Sequence, residues 1–147
     1  MLTTTLPITL ILAGGLALVN LWLSIRVGQV RRSEKVGIGD GGNDRVIRRM
    51  RAHANFAENA PLILILVGLL EFAAGPSVWL GGAAAIFLVA RVLHGVGMDG
   101  WSAGRGIGTG ATLLLQLLLA LWAISVPISG AYSPVVQDEV EQGPAQG

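Results

Sequence analysis

Residues 48–61 read RRMRAHANFAENAP, and residues 62–70 continue as the apolar run LILILVGLL. At roughly 100° per residue, a helix places four polar side chains of the first part within an arc of about 80°: Arg48, Arg51, Asn55 and Glu58. Cations, an amide and a carboxylate thus share one face at the edge of a hydrophobic segment. This stretch predicts a helix that enters an apolar environment and carries a polar site at its entrance.

The composition indicates a membrane protein. The chain has 147 residues, of which 52% are apolar and 13% are charged, whereas soluble domains carry about 25% charged residues. The net charge of +1 gives no reason to expect nucleic acid as a partner. The chain has no cysteine, which excludes disulfides, cysteine-ligated metals and a protein thiolate nucleophile. Any thiol chemistry therefore needs a thiol that a ligand brings.

Four apolar segments approach the length of about 20 residues that a helix needs to cross a membrane. They are residues 6–25, 60–74, 78–97 and 107–128. The second is short, so its helix must start near Asp44 and carry the polar face into the membrane. We predict an all-α integral membrane four-helix bundle. Apolar residues surround the helices instead of forming one stripe, which disfavours the alternative of a soluble bundle.

The predicted domain comprises residues 1–132. Its helices are expected at about 6–27, 44–73, 76–98 and 106–129, with a flexible tail at 133–147. Eight of the ten Lys and Arg residues lie between Arg26 and Arg51, and the other two flank the third connection. Under the positive-inside rule the first and third connections are cytoplasmic, and both termini are outside the cytoplasm.

Two stretches match the dinucleotide-binding pattern G-x-G-x-x-G, at residues 37–42 and 95–100. Neither follows a strand within a βαβ unit, which that fingerprint requires. We interpret the first as flexible loop glycine and the second as close helix packing or a helix end. Only two histidines are present and no H-E-x-x-H occurs, so no metal site is predicted.

The third helix has its own polar stripe, formed by Phe87, Arg91, His94 and Met98. An arginine within a span is costly unless it faces the bundle interior and is paired. One interpretation is a structural salt bridge between Arg91 and Glu58, and the other is a ligand pocket open to the cytoplasm. Arginines suit carboxylates, a glutamate suits an ammonium group, and an asparagine offers both kinds of hydrogen bond. Such a pocket fits a small zwitterion with an extra carboxylate, next to apolar helices that admit a lipid-soluble reactant.

The segment RAHANFAENAP at 51–61, preceded by GDGGN at 39–43, resembles the bacterial branch of the MAPEG family, the membrane-associated proteins of eicosanoid and glutathione metabolism. The third-helix stretch ARVLHGVG at 90–97 and the order of four helices also resemble that family. The resemblance covers roughly residues 6–128. It implies a homotrimer in the bacterial inner (cytoplasmic) membrane, with glutathione as co-substrate between subunits near the cytoplasmic face.

By motif position the resemblance also implies the site residues. Those expected to bind glutathione are Arg51, Asn55, Glu58, Arg91, His94 and a first-helix arginine, either Arg26 or Arg31. Arg105 is expected to stabilise the glutathione thiolate. The implied activity is a transferase or peroxidase acting on a hydrophobic electrophile, and the alternative is a non-enzymatic inner-membrane oligomer that binds a lipid or small anion. The chain departs from characterised eukaryotic members at Asn59 and Met98, where those carry tyrosines.

Overall fold

The computed structural model describes residues 5–130, and these form four α-helices. They are α1 (Pro7–Ser33), α2 (Asp44–Ala74), α3 (Val78–Gly97) and α4 (Ser102–Ile128). Each helix is long and apolar enough to cross a membrane. The prediction of an all-α, multi-pass membrane protein is therefore confirmed. The tail predicted at 133–147 lies outside the described residues.

Two helix ends differ by more than two residues from the sequence-based expectation. α1 continues to Ser33, beyond the end expected near residue 27, because Val30 is buried and Arg31 and Arg32 occupy the last turn. Arginine is a good helix former, and a cation is favourable at a helix C-terminus. α4 begins at Ser102 instead of near residue 106. The first turn of α4 packs directly against the end of α3, where a Cβ atom at Gly97 would collide with the Arg105 backbone nitrogen, so tertiary contacts support the additional residues of α4.

The second glycine-rich stretch, residues 95–100, is thus a helix end and a place of close packing, as predicted. A Cβ atom at Gly95 would lie 2.8 Å from the Trp22 ring, so α1 and α3 also meet closely there. Gly100 has φ +133, a conformation that favours glycine. No strand occurs in the part of the chain from residue 5 to residue 130, so these glycines have none of the context of a dinucleotide site.

The helices pack in the order α1, α2, α4, α3 around the bundle, and α2 and α3 also touch across its centre. Within the described residues, α1 and α4 make no contact and lie at opposite corners. The core contains Leu12, Ile63, Val67, Leu80 and Phe87, all of them buried. Large apolar side chains on the outward faces of all four helices remain exposed. Outward apolar faces on spanning helices are suited to contact with lipid or with another subunit.

A buried carboxylate joins the start of α1 to the end of α2. Glu71 is 2% exposed, and its oxygens accept hydrogen bonds from Ile8 N at 2.9 Å, Thr9 N at 2.7 Å and Thr9 Oγ1 at 2.6 Å. The residue before α1, Leu6, offers no side-chain cap. Glu71 therefore caps α1 from another helix, since the first N–H groups of a helix have no partner within it.

All ten Lys and Arg residues lie toward one end of the bundle, where α1 and α3 end and α2 and α4 begin. We call this the basic end. At this end the Asn43 side chain caps the N-terminus of α2, accepting from Arg45 N at 2.9 Å and from Val46 N at 3.3 Å. α2 then continues without a break through Pro61. The polar face of residues 48–58 is thus continuous with the spanning part of the same helix.

Candidate functional site

A cleft of about 200 Å³ opens beside α2 and α3 near the basic end. We call it the α2–α3 cleft. It is lined by Arg51, Ala54, Asn55, Glu58, His94 and Met98. The structure therefore brings together four of the residues predicted from sequence, three from α2 and His94 from α3. They meet because residues 51, 55 and 58 share one helical face that lies against the last turn of α3.

Two charged groups in this cleft are available to a ligand. Arg51 and Glu58 are both exposed, and within residues 5–130 neither has a salt-bridge or side-chain hydrogen-bond partner. The cleft thus offers a guanidinium and a carboxylate on the same helix, about two turns apart. A guanidinium donates to carboxylates and a carboxylate accepts from an ammonium group.

Arg91 lies beneath the cleft and does not line it. Its side chain is 1% exposed, donates from Nη1 to Asn55 Oδ1 at 2.7 Å and from Nη2 to the Gly108 carbonyl at 2.8 Å, and lies 5.5 Å from the centre of the Phe87 ring. The buried Nε has no partner among the described residues. The salt bridge to Glu58 considered from the sequence does not form, and Asn55 takes that place.

His94 has a tautomer that its neighbours determine. Its Nδ1 lies 3.1 Å from Thr109 Oγ1, and that hydroxyl donates to the Arg105 carbonyl at 2.9 Å. A hydroxyl has one proton, so while Thr109 donates it to the Arg105 carbonyl, its oxygen accepts from His94, and the imidazole proton is assigned to Nδ1 on this basis. Neutral His94 then keeps its lone pair on Nε2. His94 is consequently a hydrogen-bond acceptor, or a site for a proton, at the wall of the cleft.

Three other arginines lie away from the cleft. Arg26 donates to the Gly95 carbonyl at 2.7 Å, pairs with Asp99 and lies 4.6 Å from the Trp22 ring centre. Arg31 donates to the Gly37 carbonyl at 3.2 Å. Arg105 is exposed on the first turn of α4 and does not line the cleft. A role for any of them in glutathione binding stays a prediction.

A second cleft, of about 180 Å³, lies at the basic end and is lined by Arg45, Arg48, Arg49 and Asp99. Arg48, which shares the predicted stripe with Arg51, therefore belongs to a different site. Sequence reasoning missed Arg49 and Asp99. A usable signal was that Asp99 is the only acidic residue between Glu71 and Asp138.

Asp99 is the junction of three helices. It pairs with Arg26 of α1, and Arg49 of α2 donates to it at 3.2 Å and 3.3 Å. Partial burial raises the pKa of Asp99, but the hydrogen bonds and positive charges of Arg49 and Arg26 outweigh burial and lower the pKa below its ordinary value. The carboxylate stays ionised and ties the end of α3 to α1 and α2.

Asn59 and Met98 supply no hydroxyl to the cleft. Asn59 donates from Nδ2 to the carbonyl of Asn55 at 2.7 Å, so its amide is directed along its own helix. Met98 lines the cleft with a thioether, which is only a weak acceptor. Hydrogen bonds that a phenol would make to a ligand are therefore absent from these two positions.

These features define a multi-pass membrane protein with four helices and a polar cleft beside its second and third helices. A family model described as the MAPEG family matches residues 9–125, which is most of the chain and includes every residue of this cleft. The chain belongs to the MAPEG family. No curated protein sequence matches it.

Proposed function

We propose that the protein binds glutathione in the α2–α3 cleft and presents its thiol to a hydrophobic electrophile or peroxide in the membrane. The MAPEG family includes glutathione-dependent transferases and peroxidases. The observation that carries the proposal is the convergence of Arg51, Asn55, Glu58 and His94 on one cleft at the basic end.

The charges of the cleft complement the ends of glutathione. Glutathione has two carboxylates, one ammonium group, two amides and a thiol. Arg51 would hold a carboxylate through charge-assisted hydrogen bonds, and Glu58 would hold the ammonium group. Arg51 and Glu58 have no competing partner in residues 5–130, so binding would not require an internal ion pair to break.

The chemistry that follows requires a thiolate. A cation near the sulfur lowers the pKa of a thiol and increases the thiolate fraction. In a transferase, the thiolate forms a carbon–sulfur bond as the electrophile's leaving group departs with its electron pair. In a peroxidase, the thiolate attacks one oxygen of the O–O bond and becomes a sulfenic acid, while the other oxygen leaves as an alkoxide and takes up a proton to form the alcohol. The thiol of a second glutathione then attacks the sulfenic sulfur, which forms the disulfide and releases water. We propose Arg105 as the thiolate-stabilising cation, supplied by a neighbouring subunit, since in one subunit it lies outside the cleft.

We propose that the protein assembles as a homotrimer whose neighbouring subunits complete the cleft. Two observations support this assembly. Arg51 and Glu58 lie exposed on the flank of a spanning helix, where charged groups need protein or water around them. The outward faces of α1 and α4 are also rich in exposed leucine and isoleucine, which a neighbour can cover.

We further propose that the basic end faces the cytoplasm of a bacterium, with the chain in the inner membrane and both termini outside. The support is the concentration of all ten basic residues at that end. Cytoplasmic glutathione would then reach the cleft directly, while the electrophile would enter from the lipid side.

Titration calorimetry of the detergent-solubilised protein with reduced glutathione tests the proposal. We expect saturable binding at or below millimolar ligand. Arg51→Ala and Glu58→Ala should each weaken it by about tenfold or more, because each removes a charged partner of the ligand. Arg48→Ala is the matched control, since this arginine precedes Arg51 by one turn but lines the other cleft. No binding by the unmodified protein, or equal losses in all three variants, would contradict the proposal.

A second candidate is a non-enzymatic membrane oligomer that binds a lipid or small anion. The position of Arg105 outside the cleft and the lack of hydroxyls at Asn59 and Met98 favour it. Under this alternative, native mass spectrometry would show an oligomer that retains lipid but not glutathione. Glu58→Ala would then dissociate the oligomer, whereas a glutathione site predicts an intact oligomer that no longer binds glutathione.

A further inference from the structure

We propose that Arg91 is a positioning residue, which orients the Asn55 amide so that this side chain presents N–H donors to the cleft. The inference rests on the proposed function and refines it. The resemblance to the family places Arg91 among the ligand contacts, whereas the geometry assigns it a role one step removed.

Arg91 has no group with which to reach a ligand. Its Nη1 and Nη2 donate to Asn55 Oδ1 and to the Gly108 carbonyl. Its remaining nitrogen, Nε, is buried, and the whole residue is 1% exposed. Asn55, by contrast, is half-buried and lines the cleft. The bond of 2.7 Å between them is therefore the route by which Arg91 influences the cleft.

Because Arg91 can only donate, this bond determines which end of the Asn55 amide faces the guanidinium. An asparagine side chain has an acceptor oxygen and a donor NH₂ group, and the two can exchange by a flip. A flipped Asn55 would direct N–H groups at a guanidinium, which has donors only. It would also leave Nη1 of a buried cation without a partner, a costly state in a low-dielectric interior. Arg91 thus holds Oδ1 inward.

The consequence is a rule for the ligand. Because Asn55 Oδ1 already accepts from Arg91, the Nδ2 amino group is the part of this side chain that can bind a ligand in the cleft. An amino group donates, so it binds an acceptor such as a carboxylate or an amide carbonyl. An ammonium group would be rejected at Asn55 and directed to Glu58. The cleft therefore has donors at Arg51 and Asn55 and a carboxylate acceptor at Glu58. Neutral His94 is also an acceptor but has no negative charge, so the positions of Arg51, Asn55 and Glu58 specify the direction in which a zwitterionic peptide lies.

A double-mutant cycle with reduced glutathione as the probe tests this role. Asn55→Ala removes the donor, and we expect Kd to rise about tenfold. Arg91→Met removes the cation but keeps a long unbranched side chain, and Kd should rise by up to the same factor. The double variant should bind no more weakly than Asn55→Ala alone, because both changes act through one group. Arg91→Lys keeps a charged donor and should restore most of the affinity.

Thr112→Val is the matched control for damage to the α3–α4 packing. Thr112 is buried and donates to the same Gly108 carbonyl at 2.8 Å, yet within residues 5–130 it makes no hydrogen bond with Asn55. We expect its Kd to equal that of the unmodified protein. The proposal is overturned if Arg91→Met and Asn55→Ala multiply in the double variant, or if Thr112→Val weakens binding as much as Arg91→Met does.

A readout without ligand separates this inference from the proposed function. In ¹⁵N-labelled protein, the side-chain NH₂ signal of Asn55 is assigned by its loss in Asn55→Ala. Arg91→Met should shift or broaden that signal, and Thr112→Val should leave it unchanged. If the unmodified protein binds no glutathione but this pattern holds, the proposed function fails and the positioning role survives. An Asn55 signal that Arg91→Met leaves unchanged would refute the positioning role whether or not glutathione binds.

Discussion

At the scale of single residues, a buried cation and a partly exposed carboxylate organise the polar parts of the molecule in different ways. Arg91 is buried and donates hydrogen bonds to the Asn55 side-chain oxygen and to the Gly108 carbonyl. Asp99 is partly exposed and forms salt bridges with one arginine of α1 and one of α2. The cost of an unpaired arginine within a span predicted that Arg91 faces the bundle interior, because that cost depends only on where the residue lies in its own segment. It could not predict that Asn55 is its partner, because that depends on the rotation of α2 against α3.

Asp99 gives the protein a stability that depends on pH. Its folded-state pKa lies below the ordinary value, so its contribution is present above the unfolded pKa of about 3.9 and is lost as the pH falls through the folded pKa. At neutral pH, Asp99→Asn should lower the free energy of unfolding by about 1 kcal/mol, the size expected for a partly exposed ion pair. Thermal unfolding in detergent measures this difference.

The two proteins should converge in stability as the pH falls below 4. Asp40→Asn is the control, because Asp40 lies in an exposed loop and has no salt bridge among residues 5–130. A difference between Asp99→Asn and the unmodified protein that persists unchanged in acid would show that the charge of Asp99 is not the cause.

At the scale of helices, glycine determines how closely α3 and α4 approach. A Cβ atom at Gly108 would lie 2.5 Å from the Ala90 carbonyl oxygen and 2.7 Å from the His94 backbone nitrogen. This close contact also brings the Gly108 carbonyl within reach of Arg91. The seam between these helices is therefore part of the support of the cleft.

Gly108→Ala should accordingly destabilise the protein by about 2 kcal/mol, since overpacking displaces backbone as well as side chains. Gly110→Ala on the same helix is the matched control, because a Cβ atom there meets nothing within 4 Å. It should be neutral or slightly stabilising, since alanine is the better helix former. Thermal unfolding of both variants checks the prediction, and equal destabilisation would exclude close packing at residue 108 as the reason.

At the scale of the whole molecule, charge separates the two ends of the bundle. All basic residues gather where α2 and α4 begin, whereas the opposite end carries the buried Glu71 cap and the turn at Gly75. Under the positive-inside rule, this separation supports the proposed orientation, in which the basic end faces the cytoplasm.

Cysteine labelling tests that orientation on a background that has no cysteine. Ile38 in the first connection is 95% exposed, and Pro76 in the second connection is also exposed. In intact bacterial spheroplasts, a membrane-impermeant maleimide should label Pro76→Cys and not Ile38→Cys. After permeabilisation both variants should react. The reverse pattern would invert the proposed topology and place the cleft away from cytoplasmic glutathione.

Local properties of the sequence were enough to predict the class of the fold and one face of the candidate site. Apolar length specifies spanning helices, and a 3.6-residue period places Arg51, Asn55 and Glu58 together, because both properties are local to one helix. The packing of the helices was needed to show that His94 joins this face and that Arg91 donates to Asn55. It was also needed to show that Arg48 and Arg26 lie in other contacts. Those outcomes depend on how helices rotate and approach one another. Glycine contacts and hydrogen bonds between residues far apart in the chain set how closely the helices approach. The periodicity of a single helix contains no information about such contacts.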